Sequence, residues 1–397
     1  MTPPSGTQRP RQARIRVGFV VHVMQIAGAE MLVAETVRRL GDRIAPTIFC
    51  LDAVGPLGER LRGEGVDVLS FERRPGLDLR VARRMATAIR TRRLHVLHAH
   101  QYTPFFYGAI AAHLRGRGPR VVFTEHGRHY PDVVSARRRW ANRLILDHLA
   151  DEVTAVCGFS ASHLARQDGF SLGRITVIPN GVEVSRYGRS PDIATVRRSL
   201  GLRPDRRYIA AVARFHPVKD HPTLLRAFGE CARSRPDVDL LLVGDGTSRS
   251  DLEGLAEGLG LGDRILFWGV RDDVAAILSA VDVFALTSLS EAASITLLEA
   301  MASELPVVVT AVGGNPEIVR DGLDGLLVPR GDVRAAAAAL GRVLDDEGLA
   351  RAMGASGAER VRSHFRLERT IERYGDLYQH IARAAGGGQA QDSEIPR

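Results

Sequence analysis

Four charged side chains at two fixed spacings carry the chemical signal of this sequence. Arg214 and Lys219 are separated by four residues in IAAVARFHPVKDH, and Glu291 and Glu299 by seven in EAASITLLE. Lys219 is the only lysine among 54 basic residues. Arginine is a wide planar fork and lysine a compact point charge on a flexible stem, so a tight phosphate-sized space distinguishes them. Two cations this close, just past an apolar strand-like run, need an anion between them, and a diphosphate would serve. Glu291 falls in a loop after a strand-like run and Glu299 inside the following helix. Between them Ser294, Ile295 and Thr296 form that helix's first turn, where unpaired N–H groups favour an anion. The order suits a sugar nucleotide: Glu291 towards the sugar, the N–H groups towards phosphate, Glu299 towards ribose hydroxyls.

Two further strand ends carry unusual residues. Gly28, in MQIAGAE, sits at a strand-to-helix turn where backbone N–H groups can approach a phosphate. His126, followed by Gly127 in TEHG, ends another strand and is placed for a ligand. The run VGDG (Gly244, Asp245, Gly246) has the look of a dinucleotide loop, but Arg249 stands where the third glycine belongs, so nicotinamide binding is poorly supported.

The elements that must hold these residues alternate between strand-like and helix-like runs, an α/β pattern with parallel sheets. In the first half the strands are expected near 16–22, 46–51, 66–70, 96–100, 120–125, 152–157 and 175–179. In the second half they fall near 208–213, 239–243, 265–268, 283–286, 306–310 and 325–328, with Lys219 opening a helix after the first of these. A chain of 397 residues exceeds one ordinary core, which argues for two doubly wound domains with a ligand where their strand ends face each other. The turn-rich NGVEVSRYGRSPD marks the boundary, giving domains at 15–188 and 189–364 after a flexible 1–14. A helix at 365–385 and a disordered tail at 386–397 complete the expected layout.

The longest apolar runs are strand-sized, and VGFVVHV is too short for a signal-peptide core. Cys50, Cys157 and Cys231 form neither a disulfide framework nor a zinc pattern, so the cytosol is the expected compartment. Residues 1–190 carry 29 basic and 16 acidic side chains, residues 191–397 carry 25 and 30. Arginine clusters at 73–74, 83–84, 92–93 and 137–139 make the first half a candidate surface for an anionic partner. Nucleic acid is not expected, because no fold or aromatic pattern accompanies the charge.

Taken together, Glu291-x7-Glu299, Arg214-x4-Lys219, the GAE turn at Gly28, HG at His126, IPNGV at Asn180–Gly181 and VGGNPEIV at Gly313–Val319 resemble the retaining glycosyltransferases of family 4, with the GT-B fold. The likeness spans about residue 15 to about 385. It implies two Rossmann-like domains facing a cleft, an acceptor-binding first half, a nucleotide-sugar-binding second half, no cofactor or metal, and a last helix that packs back on the first domain. It also implies roles. Arg214 and Lys219 would hold the departing diphosphate, and Glu291 and His126 would contact the donor sugar. Gly28 would approach the phosphates, Glu299 would take the ribose, and Val270 and Arg271 would lie near the base. The expected activity is hexosyl transfer to a glycan or lipid-linked acceptor in cell-surface polysaccharide or glycolipid assembly, peripheral to the inner face of an anionic membrane. A nucleotide-sugar 2-epimerase and a non-catalytic sugar-nucleotide binder are the alternatives of the same fold. The sequence departs from the family pattern twice: Ala27 replaces the first glycine of a pair, and Glu304 replaces the glycine that ends a helix. At the second, a forced left-handed residue costs about 1 kcal/mol.

Overall fold

The computed structural model describes residues 14–114, 116, 118–127 and 135–386. The two end segments expected to be flexible therefore lie, apart from Arg14 and Gly386, outside the described residues. The chain builds two parallel sheets, each covered by helices on both faces, and the residues within the strands explain this. The runs VDLLLV and VVVT are buried throughout, as strands with helices on both sides must be.

The first sheet contains β1 (Ile15–Val23), β2 (Ile44–Ala53), β3 (Asp67–Ser70), β4 (Val96–His100), β5 (Arg120–Glu125), β6 (Glu152–Ala155) and β7 (Ile175–Val177). Their spatial order is β3-β2-β1-β4-β5-β6-β7. The second contains β8 (Arg207–Val212), β9 (Val238–Val243), β10 (Ile265–Phe267), β11 (Val283–Leu286), β12 (Val307–Thr310) and β13 (Gly325–Val328), in the order β10-β9-β8-β11-β12-β13. In each sheet the order reverses once, between β1 and β4 and between β8 and β11. Open parallel sheets bind ligands at such a reversal, outside the carboxyl ends of the strands.

The chain crosses between the lobes twice, and the two crossings run side by side. Val182 N–H donates to the Phe365 carbonyl and Leu367 N–H to the Val182 carbonyl, at 2.9 and 3.0 Å. A side chain at Gly181 would strike the Arg366 backbone at 2.5 Å, which gives the glycine of IPNGV a steric reason. The helix Leu367–Gly386 then returns to the first lobe. Its stripe Leu367, Ile371, Tyr374, Tyr378 and Ile381, spaced by four and three, joins the core cluster of Val17, Phe19 and Val21.

Two local features differ from the sequence pattern. Lys219 does not open a helix: it closes a single turn, Pro217–Lys219, and Asp220 caps the helix His221–Ala232. Proline at 217 and at 222 breaks the run into these two pieces. Glu304, after the helix Ile295–Ala302, adopts φ +60°, so a left-handed turn is made there by a residue with a side chain.

Candidate active site

The two reversals face each other across the space between the lobes. There a cavity of about 310 Å³ is lined from the second lobe by Arg214, Lys219 and Glu291 and from the first by His126, Gln101 and Phe159. Arg214 leaves the end of β8 and is exposed to this space, and it forms no ion pair with a described residue. The Lys219 ammonium is ion-paired with Glu291 Oε1. The same oxygen accepts a 2.6 Å hydrogen bond from Ser288 Oγ, so both of these partners among the described residues fall on Oε1 and not on Oε2. The Glu291 side chain is only 9% exposed and that of Lys219 23%, so each ion depends on the other for its neutralisation.

Backbone packing fixes these loops. Leu289 N–H donates to the Val218 carbonyl at 2.7 Å, and Thr287 Oγ1 to the Asp220 carbonyl at 2.9 Å. The loops after β8 and β11 are therefore tied to each other. A side chain at Gly313 would collide with the Glu291 carbonyl and one at Gly314 with that of Ala292, so VGGNPEIV supplies the platform beneath Glu291. Glycines 244 and 246 likewise admit the carbonyls of Ala213 and Phe215. The VGDG run thus supports the Arg214 loop, which accounts for its glycines without a dinucleotide.

His126 approaches from the opposite wall. Its Nε2 shares a 2.8 Å hydrogen bond with His100 Nδ1. Burial lowers the His126 pKa to about 4, and burial together with the neighbouring imidazoles His98 and His126 holds His100 well below the usual range. His126 is therefore a neutral imidazole near pH 7, a hydrogen-bonding group and not a cation. Gly127 has φ +108°, and a side chain there would meet the Ala292 methyl at 2.6 Å. The glycine of the HG pair lets the Glu291 loop close against the first lobe.

The remaining site candidates lie around this cavity and not in it. Gly28 abuts the helix Ile295–Ala302 across the gap, and a methyl in its place would sit 3.2 Å from Ile295 Cδ1. Ser294 caps that helix, its Oγ accepting from Leu297 N–H at 3.3 Å, with Thr296 Oγ1 at 3.1 Å. Glu299 lies in a separate hollow of about 80 Å³ shared with Ile295, Arg186 and Tyr187. It accepts a 2.7 Å hydrogen bond from Tyr187 OH, and burial raises its pKa. Val270 and Arg271 sit on the loop after β10, Val270 exposed and Arg271 paired with Asp273 at 2.6 Å over the Trp268 ring. The structure thus gathers Arg214, Lys219, Glu291 and His126 and leaves Glu299, Val270 and Arg271 outside their cavity.

Sequence reasoning missed several contributors. His100 and Ser288 orient His126 and Glu291, and His22, bonded to Asp52 at 3.0 Å, lines the same cavity. The alternation of His98 and His100 in a buried strand was the available signal, since imidazoles inside a fully covered strand need partners. His98 finds them in Tyr378 OH and Thr124 Oγ1, both at 2.6 Å. Glu317 was read only as part of a motif. Its carboxylate accepts from Gly158 N–H and Phe159 N–H at 2.7 Å each, so a second-lobe acid caps a first-lobe helix and clamps the lobes together. Among the described residues no group of His, Cys, Asp and Glu is arranged to hold a metal ion.

The model of the Glycosyl transferases group 1 matches residues 192–360, and that of Glycosyltransferase Family 4 matches residues 26–186. The chain is 30% identical over 322 residues to N-acetyl-alpha-D-glucosaminyl L-malate synthase of Bacillus anthracis, covering 79% of this chain and 82% of that protein. It is 28% identical over 299 residues to the UDP-Gal:alpha-D-GlcNAc-diphosphoundecaprenol alpha-1,3-galactosyltransferase of Escherichia coli, covering 71% and 74%. Among solved structures, a glycosyltransferase from Rickettsia africae superposes with a TM-score of 0.82 at 20% identity, over 93% of this chain and 99% of the other. Anabaena HepE in complex with UDP and glucose superposes with a TM-score of 0.82 at 23% identity, over 92% and 100%.

Proposed function

The chain belongs to glycosyltransferase family 4 and is a glycosyltransferase of the GT-B fold, and on that footing we propose that it moves a sugar from a nucleoside-diphosphate sugar to a lipid-linked acceptor, with retention and without a metal. The observation that carries this is the convergence of Arg214, Lys219 and Glu291 with His126 in one cavity between the lobes. The E. coli relative's name specifies a UDP-sugar donor and a diphosphoundecaprenol-linked acceptor, which supports that acceptor class here.

The chemistry follows from the charges. The bond between the anomeric carbon and the diphosphate breaks as the acceptor hydroxyl forms its own bond from the same face, its proton passing to the departing phosphate oxygen. Negative charge grows on that oxygen, and Arg214 and Lys219 are fixed cations that stabilise it without reorganising. Glu291, held on Oε1 by Lys219 and Ser288, offers Oε2 to a donor-sugar hydroxyl. Neutral His126 adds a hydrogen bond to the sugar from the acceptor side. The Glu317 clamp and the Gly127–Ala292 contact keep the lobes closed and water, the competing acceptor, out. The test is product analysis by NMR with a nucleotide-sugar panel and a polyprenyl-diphosphate-sugar acceptor, with and without chelator. An α-linked product from an α-linked donor, formed equally in chelator, is expected. An inverted linkage, chelator-abolished turnover, or an epimerised donor without acceptor would each overturn the proposal.

A further inference from the structure

One helical segment of the first lobe turns large apolar residues to solvent as well as to the core. Residues 136–149 (ARRRWANRLILDHL) form a continuous helix whose middle turn, Asn142–Leu146, is a π-helix. Inward, Leu146 joins the first-lobe core, and the polar Asn142 and Asp147 are buried beside it. Asn142 Oδ1 accepts from Tyr102 OH at 2.6 Å, its Nδ2 donates to the Asp168 carbonyl at 2.9 Å, and Asp147 Oδ2 accepts from Ser171 Oγ at 2.6 Å, with Arg174 3.3 Å from its Oδ1. Three large apolar residues stand outward among the arginines. Trp140 is 64% exposed, Leu144 63% and Ile145 58%. A helix that serves only the core keeps such residues on its buried side. Leu146 and the polar groups hold this helix on the protein, while Trp140, Leu144 and Ile145 are presented outward.

The charge around that side is of one sign. Arg137, Arg139 and Arg143 are exposed and form no ion pair with a described residue, and the helix's one acid, Asp147, is buried. Other arginine clusters of the first half have members already engaged. Arg73 pairs with Asp52 at 2.8 Å, Arg92 with Asp67 at 2.5 Å, and Arg84 donates to the Phe71 carbonyl at 2.8 Å. The helix also lies beside the residues that line the cavity. Tyr102, which holds Asn142, lines it, as do Phe159 and His163 of the helix Gly158–Asp168.

We propose that the outward face of residues 136–149 is a docking surface for an anionic bilayer, with Trp140, Leu144 and Ile145 entering the headgroup boundary and Arg137, Arg139 and Arg143 meeting lipid phosphates. Apolar area combined with unpaired arginine suits an interface that is oily below and negative above. Indole is also at home at that depth. The surface brings the first-lobe mouth of the cavity to the membrane, where a lipid-linked acceptor would be. The inference rests on the proposed acceptor class for its purpose and not for its measurement.

The test is co-sedimentation of the full chain with vesicles of phosphatidylcholine alone or mixed with phosphatidylglycerol. The variants are a W140S/L144S/I145S triple and an R137Q/R139Q/R143Q triple, checked for unchanged thermal unfolding. Binding should need phosphatidylglycerol and weaken with salt. The serine triple should reduce it more than about tenfold. Each lost arginine should cost up to about fivefold. Slow nucleotide release from the donor without acceptor should be the same in all three proteins, so a failure of the catalytic proposal would show there and a failure of the docking surface would not. Unchanged vesicle binding in either triple, or wild-type indifference to phosphatidylglycerol, overturns the inference. So does a dimer in solution that the serine triple dissociates, since a second copy would then be the occupant.

Discussion

Removing the Lys219 ammonium tests the site most directly, because the structure gives that group two separable jobs. In the free protein it neutralises Glu291, whose side chain is 9% exposed and has Ser288 Oγ as its other hydrogen-bond partner. In the proposed reaction it faces the diphosphate. Lys219→Ala strips both. Breaking a fully buried pair costs about 3–5 kcal/mol, and with Lys219 nearly a quarter exposed the expected loss is nearer 1–2 kcal/mol. In a lobe of this size that lowers Tm by about 2–8 °C. On turnover, loss of a preorganised cation costs about 10²–10³. The orphaned Glu291 carboxylate adds repulsion against phosphate, up to about 4 kcal/mol for charges near 4 Å in a partly solvated site. Lys219→Ala should therefore be both less stable and effectively inactive. The double variant Lys219→Ala/Glu291→Gln separates the jobs: its Tm should return to within about a degree of wild type, while transfer stays lost. Calorimetry and a nucleotide-release assay give both numbers. If the double variant regained turnover, Lys219 would be only a counter-ion, and the diphosphate assignment would fail.

Two further outcomes follow from backbone and burial. Glu304→Gly should raise stability by about 1 kcal/mol in calorimetry, since φ +60° strains a residue with a side chain and the one ion pair lost, to Arg362, is long at 3.9 Å; a lower Tm would mean the Glu304 side chain matters more than its backbone. His98, His126 and His221 have pKa values lowered by burial to about 3, 4 and 4, and His100 lies well below its usual range. The unfolded chain, with histidines near 6.5, then binds more protons, so their contribution is complete above about pH 6.5 and lost as pH falls towards 4; denaturant midpoints that do not drop between pH 7.5 and 5 would contradict it.

The architecture was largely legible because parallel strands buried on both faces announce themselves as unbroken apolar runs. Each of the thirteen expected strand positions overlaps an observed strand. The residues that line the cavity stood in the loops after such runs: Arg214 and Lys219 after β8, Glu291 after β11 and His126 after β5. What the sequence hid was pairing across the fold. The Lys219–Glu291 ion pair joins residues 72 positions apart, and Glu317 caps a helix 159 positions upstream. No local pattern encodes such a contact. Glycines were ambiguous for a related reason. Gly127, Gly181, Gly313 and Gly314 each make room for backbone or side chains of a distant segment, and that need is visible only once both segments are placed. The helix at 136–149 was half visible: the arginine triplet stood out, but the apolar residues beside it would ordinarily all be assigned to a core, where Leu146 does lie.

The uneven charge of the two halves acquires a physical sense from these placements. The half proposed to grip the diphosphate is the more acidic one, with 25 basic and 30 acidic side chains beyond residue 190. An anionic donor is thus not attracted to the second lobe as a whole. On the proposed reading it is attracted to the cavity, where Arg214 has no acidic partner among the described residues and Lys219 is shared with Glu291. In the first half the surplus is basic, yet the histidine it places on the cavity wall, His126, and the His100 behind it are uncharged through burial. Its positive charge lies elsewhere, and at residues 137–143 it surrounds an apolar face. Long-range attraction would then orient the first lobe towards an anionic surface, while short-range cations in the second lobe select the donor. High salt should weaken surface association far more than donor affinity, because the screening length of a few ångströms at molar ionic strength reaches exposed arginines before an enclosed ammonium.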